Sequence, residues 1–392
     1  MPLRYAGVLV RATLNSPLVW IATALTAVVL FMGLVVSFYD EGKGQGMLGR
    51  ATYEWVVETW GGTGGTLEGM PADLAELNEH ALDAARRAVD VGTPEEFYEA
   101  VADFSRVRLD IAVAGYSTES VATARAKAVF AEQLVEVGYD RWPRLTSRAA
   151  PALFYVGSVY RYVPSFILYA VVLAVGFVLA RLGLRDKLLT RVPLSRACAM
   201  GVETVVAVGL SGLLFAAALT PVFLWAAVVN GAGTLDYPAV FVRGSETVHL
   251  TLAGLLARAG GLWLVASASV FAVCQLVSTA FDKASPGAVA AALYASVPFL
   301  LASSTSQSYG AVTYDAMSAL LPTTYLDVSS IVGWATNLPW IEVSGVVGTG
   351  LGSAAEGAVG GAYSATLLLG LAVLVTCAVL CLGVTVLMRS RR

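Results

Sequence analysis

The sequence predicts an all-α integral membrane protein with six transmembrane helices. Three observations carry that prediction. Six long apolar stretches run over residues 17–38, 163–183, 203–229, 255–281, 287–304 and 364–388. The composition is 57% hydrophobic and only 14% charged, with a mean hydropathy of +0.70, against about 25% charged in soluble domains. The charges between the stretches alternate in sign. A hydrocarbon core about 30 Å thick takes about 20 helical residues to cross. Lipid offers the backbone no partners, so a lipid-exposed span is a helix or a closed barrel.

The sign pattern sets the expected orientation. Residues 39–162 hold 19 acidic and 12 basic residues, a net of −7. The segment 181–196 holds Arg181, Arg185, Lys187, Arg191 and Arg196 against Asp186, a net of +4. Arg4 and Arg11 precede the first stretch, and Arg389, Arg391 and Arg392 follow the last. Lys and Arg gather in cytoplasmic loops. Both termini and 181–196 are therefore expected inside, and 39–162, 230–254 and 305–363 outside. The first stretch is longer than a signal-peptide core and has no A-x-A site before Tyr39-Asp40, so it is read as an uncleaved span.

Residues 1–16 alternate Leu3, Tyr5, Val8, Leu9 and Leu14 with Arg4 and Arg11, the pattern of a short interfacial helix. Residues 39–162 read as an external helical domain. One helix follows Pro71, with Leu74, Leu77, Ala81, Leu82, Ala85, Ala88 and Val89 inward, and stops near Gly92. A second starts at Thr93, with Pro94 at the first helical position and Glu96 completing a capping box. It turns Phe97, Val101, Phe104, Val107 and Leu109 inward and ends near Gly115. A third runs from about Ser117 to Gly138, with Val121, Ala124, Ala128, Ala131 and Val135 as its apolar face. Strand signals are absent here, so an antiparallel helical lobe is expected.

In 305–363, the apolar pieces 314–322 and 326–336 are too short to span and read as re-entrant or interfacial helices. Trp334 and Trp340 suit a lipid–water boundary. Gly348 to Gly361 is glycine-rich, suited to a close-packed turn.

Catalytic signatures are absent. His80 and His249 have no acidic or cysteine neighbours at ligand spacing. Cys198, Cys274, Cys377 and Cys381 lie in or beside spans and read as small packing residues. Gly348-Thr349-Gly350-Leu351-Gly352 opens no α/β unit, and no G-x-x-x-x-G-K-[ST] occurs. The ionisable or amide groups within spans are Glu203, Arg258 and Gln275, candidates for a pathway or for packing. Glu203 and Arg258 lie near span ends, within reach of the interface. Gln275, with Ser267 and Ser269, suits interhelical hydrogen bonding. Pro221 and Pro298 are positioned to kink spans three and five.

Between spans two and three, Leu184, Leu188 and Val192 recur every four residues beside Arg181, Arg185 and Lys187, and Pro193 ends that helix. Leu188-Leu189-Thr190-Arg191-Val192-Pro193-Leu194-Ser195-Arg196 then leads into span three. Here the chain resembles the permease subunits of ABC-2 type transporters, whose first cytoplasmic loop carries an amphipathic coupling helix followed by such a segment. The layout resembles them too, in the branch with a large external domain between spans one and two. Ala319-Leu320-Leu321-Pro322-Thr323-Thr324-Tyr325 falls where that family has short external re-entrant helices. The external lobe matches by position rather than by sequence.

The resemblance implies a permease of an ATP-driven exporter in the plasma (inner) membrane, with no ATPase site of its own. It implies that Leu184, Arg185, Lys187, Leu188, Arg191, Pro193 and Arg196 engage a separate ABC ATPase subunit. ATP and Mg would act through that subunit. A second permease chain, identical or different, and membrane lipid are the other implied partners; nucleic acid is not one. A second expectation, of another class, is a membrane-anchored sensor whose external helical lobe binds a ligand.

Overall fold

The computed structural model describes residues 2–39, 50–61, 71–117, 119, 121–140, 151–163, 165–185, 194–243, 246–304, 318–332 and 366–391. They form a helical bundle and a helical lobe, with one β-hairpin between them. All six apolar stretches are helical over their described cores. Among the described residues, three helices are by themselves long and apolar enough to cross a membrane: Arg196–Val229, Leu252–Phe281 and Leu367–Ser390. This is the build of a membrane protein.

Helix α1 (Pro2–Leu14) turns Tyr5, Leu9 and Thr13, spaced four apart, into the bundle and leaves Leu3 and Val8 exposed. It meets α2 (Pro17–Tyr39) at a bend of 67°. The Trp20 indole N–H donates to the Leu14 carbonyl across that corner at 2.7 Å, satisfying an acceptor that the end of α1 leaves open. The expected amphipathic N-terminal helix is therefore present.

The lobe contains α3 (Arg50–Gly61), α4 (Ala72–Asp90), α5 (Pro94–Val113) and α6 (Val121–Glu136). α4 and α5 follow the sequence closely. Thr93 accepts the Glu96 N–H at 3.4 Å and Pro94 stands in the first turn of α5. Gly115 and Gly138, each with positive φ, end the second and third expected helices, as glycine permits without a Cβ clash. The inner face of α6 differs from expectation. Phe130 and Leu134 are buried beside Ala124, Ala128 and Ala131, whereas Val121 and Val135 are exposed at the ends. The hairpin side accounts for Phe130, whose ring meets Tyr237 with centroids 6.0 Å apart.

The second apolar stretch is not one rod. The single turn α8 (Ser165–Leu168) and α9 (Ala170–Arg185) share residues 163–183, and α7 (Ala152–Tyr162) precedes them. Ser165 Oγ donates to the Ala295 carbonyl at 2.8 Å, tying the broken region to span five. α10 (Arg196–Asn230) begins a full two turns before the expected start of span three. Ser195 caps it by accepting the Cys198 N–H at 3.2 Å. Pro221 lies inside it.

The segment 230–254, expected only as an external connection, contains a hairpin. β1 (Pro238–Arg243) and β2 (Glu246–Thr251) pair antiparallel in the register Pro238↔Thr251 to Arg243↔Glu246. Thr251 then caps α11 (Leu252–Phe281) through the Gly254 N–H. The hairpin packs on α6 of the lobe. A chain of ring contacts runs Tyr53–Phe97–Tyr98–Tyr139–Tyr237–Phe154, from α3 to α7, with centroids 4.4–5.8 Å apart. Edge-to-face rings gain beyond their burial, so this chain fastens lobe, hairpin and bundle together.

α11 is the hub, packed against α9, α10, α12 (Ala284–Ser304) and the last helix. Short 3₁₀ turns at Ser318–Leu320 and Pro322–Leu326 and helix α13 (Val328–Val332) fold into the bundle. They bury Thr324, Tyr325, Leu326 and Val328 against it. The last helix, α14, covers Leu367–Ser390.

Candidate functional site: a buried ionic cluster at one end of the bundle

α10 runs between the two ends of the bundle. At its far end, Gly231 and Ala232 accept the N–H groups of Ala152 and Leu153, next to the hairpin and the lobe. At its near end sits a charged cluster. Glu203, two turns into α10, is only 3% exposed. Arg389, in the last turn of α14, places Nη1 3.2 Å from Glu203 Oε2 and 3.4 Å from Oε1. The other fork nitrogen donates to Gln275 Oε1 on α11 at 2.9 Å. From α1, the Tyr5 hydroxyl donates to Glu203 Oε1 at 2.8 Å. The Arg389 guanidinium also packs over Gly183 of α9, where a Cβ would lie 3.3 Å from Nη2. Gln275 reaches on to the Gly176 carbonyl of α9 at 3.5 Å. One cluster thus joins α1, α9, α10, α11 and α14.

The local sequence explains the position of each member. Arg389 stands where a helix end favours a cation. Only an arginine fork bridges a carboxylate and an amide in one plane. Gly183 admits that fork, and Tyr5 belongs to the Tyr5–Leu9–Thr13 stripe that docks α1. Buried carboxylates are costly unless paired and hydrogen-bonded; this one has both.

Among the sequence-derived candidates, Glu203 and Gln275 come together, through an arginine read only as part of a basic tail. Glu203 is buried within the protein, paired with Arg389 and Tyr5. Gln275 makes the expected interhelical bonds. Ser267 donates to the Trp263 carbonyl of its own helix. Ser269 donates to the Ala266 carbonyl and touches the Tyr294 hydroxyl at 3.3 Å. Arg258 is exposed and stands apart from the cluster. Leu184 is half-buried in the last turn of α9, Arg185 ends that helix, and Arg196 opens α10, exposed. Lys187, Leu188, Arg191 and Pro193 lie outside the described residues, as do Trp334, Trp340 and 348–361. The partnership of Tyr5 and Arg389 has no local signal: the residues are separated by nearly the whole chain.

His80 and His249 are both exposed. No group of three or more His, Cys, Asp or Glu placed to hold a metal is found among the described residues. The four cysteines are free thiols, with Cys198 exposed and Cys274 buried. Comparison with protein-family models, with curated proteins and with solved structures finds no match to this chain.

Proposed function

We propose that this chain is the membrane-spanning permease subunit of an ABC-2 type transporter, an exporter driven by a separate ATPase. The reading is carried by the basic segment between spans two and three, Leu184 to Arg196, with its Leu188-Leu189…Pro193-Leu194-Ser195-Arg196 sequence. The six helical stretches support it, and so does the division of the bundle into two ends. The flanks of that segment, α9 and the start of α10, share an end with α1 and the terminus of α14. The lobe and hairpin belong to the other end. In this reading the protein crosses the plasma membrane six times with both termini cytoplasmic. The ATPase, carrying ATP and Mg, grips the basic segment, and its closure moves spans two and three as a unit. A second permease chain completes the path.

The test is co-purification from native membranes with a P-loop ATPase. Replacing Leu184, Leu188 and Arg191 together by Asp is expected to abolish that association. An unchanged association defeats the proposal. The buried helical core of the lobe supports a second reading, a ligand-binding sensor; binding of a ligand by the chain with no ATPase partner would select it.

A further inference from the structure

Glu203 and Arg389 form more than a static joint. Elsewhere the bundle closes around small residues. A Cβ on Gly287 of α12 would collide with the Cys274 carbonyl and Ser278 of α11, and one on Gly370 of α14 with the Tyr325 ring. The bundle therefore closes well without charge, and a buried ion pair adds little stability over an apolar contact of the same shape.

The two partners are also unequally placed. Arg389 keeps a side-chain exposure of 20% against 4% for Glu203. Its guanidinium has a route to water and can swing outward on its apolar stem. If it leaves, Glu203 Oε2 and Gln275 Oε1 lose the donors that Arg389 supplies, and a buried carboxylate stands without its counter-charge. Glu203 keeps the Tyr5 hydroxyl at 2.8 Å, and Gln275 keeps the Gly176 carbonyl. The closed arrangement is therefore the favoured one, and opening calls for water or another donor at those two oxygens.

We propose that the Glu203–Arg389 pair is a conformational lock that clamps the end of the last helix to α10 and α11, and that this end of the bundle opens when the pair parts. The lock stands on the described geometry; that its opening serves transport rests on the permease reading.

The experiment uses the full chain in lipid nanodiscs without any ATPase, so the lock can fail independently of the transporter assignment. Spin labels are placed at G201C on α10 and L387C on α14, both exposed, in a Cys198→Ser background. Position 201 has open space for a side chain. The unsubstituted lock is expected to give one narrow distance distribution. Glu203→Gln, which keeps the shape and the Tyr5 contact, is expected to add a second, longer component, as is Arg389→Met. The exchange Glu203→Arg with Arg389→Glu is expected to restore the narrow distribution. Arg389→Met guards against a misfolded Glu203→Gln, and the reverse. The inference is overturned if a folded single variant gives the parent distribution, or if the exchange behaves like the single variants.

Discussion

Tyr325 shows how single residues set the packing of the bundle. Its side chain is fully buried beneath α14, and its hydroxyl donates to the Ala319 carbonyl at 2.7 Å. The ring occupies the space where Gly370 would carry a Cβ. Gly370→Ala is therefore expected to cost about 1–3 kcal/mol through overpacking, read as a lower melting temperature in detergent. Gly383→Ala, one face away with open space around it, is the control and is expected to leave the melting temperature unchanged or raised. Equal effects at the two glycines would refute this account of Gly370. The sequence showed an apolar helix at residues 1–16 but grouped Leu3 and Val8 with Tyr5 and Leu9; the structure exposes Leu3 and Val8 and buries Thr13 instead. The partner of Tyr5 was not legible, because no rule of spacing links residue 5 to residue 203.

At the scale of elements, the aromatic chain through Tyr98, Tyr139 and Tyr237 decides how the lobe is held. Burial, with the neighbouring Tyr139 adding to it, pushes the Tyr98 phenol above its ordinary range. A proton held more tightly when folded than when unfolded gives stability that is complete below the unfolded pKa of about 10. That stability is lost as the pH rises above it. Alkaline titration followed by circular dichroism is expected to show a loss of helix above about pH 10, and Tyr98→Phe is expected to flatten that slope. Tyr237→Ala removes the ring shared by Tyr139, Phe154 and Phe130. With each such pair worth about 0.5–1.5 kcal/mol, hydrogen exchange in α6 is expected to speed while that in α11 stays near its parent rate. Helices α4 and α5 were readable because capping and amphipathic period agree on them. The hairpin also had a signal, since Ala-Val-Phe-Val and Thr-Val-His-Leu-Thr flank the two residues Gly244-Ser245, a two-residue turn pattern between β-favouring runs.

For the whole molecule, the testable property is which end faces which compartment. Cys198 is a natural reporter, exposed in the first turn of α10 at the Glu203 end. Thr93 lies exposed in the lobe. A membrane-impermeant thiol reagent on intact cells is expected to label Thr93→Cys, and to label Cys198 only after permeabilisation. The reverse pattern would invert the proposed topology and remove the basic segment from the reach of a cytoplasmic ATPase. This prediction belongs to the whole chain, because one charge-bearing loop cannot change sides without reversing every span.

Composition and periodicity alone determined that the chain is helical and membrane-bound, where its apolar stretches lie, and where the lobe helices α4 and α5 begin and end. Those properties depend on neighbours within a few residues and on the solvent each segment requires. The Glu203–Arg389–Gln275 cluster, the break in span two and the docking of Tyr325 under Gly370 were decided only by the tertiary structure. Each depends on which faces of distant helices meet, and contact across a bundle leaves no period in the sequence.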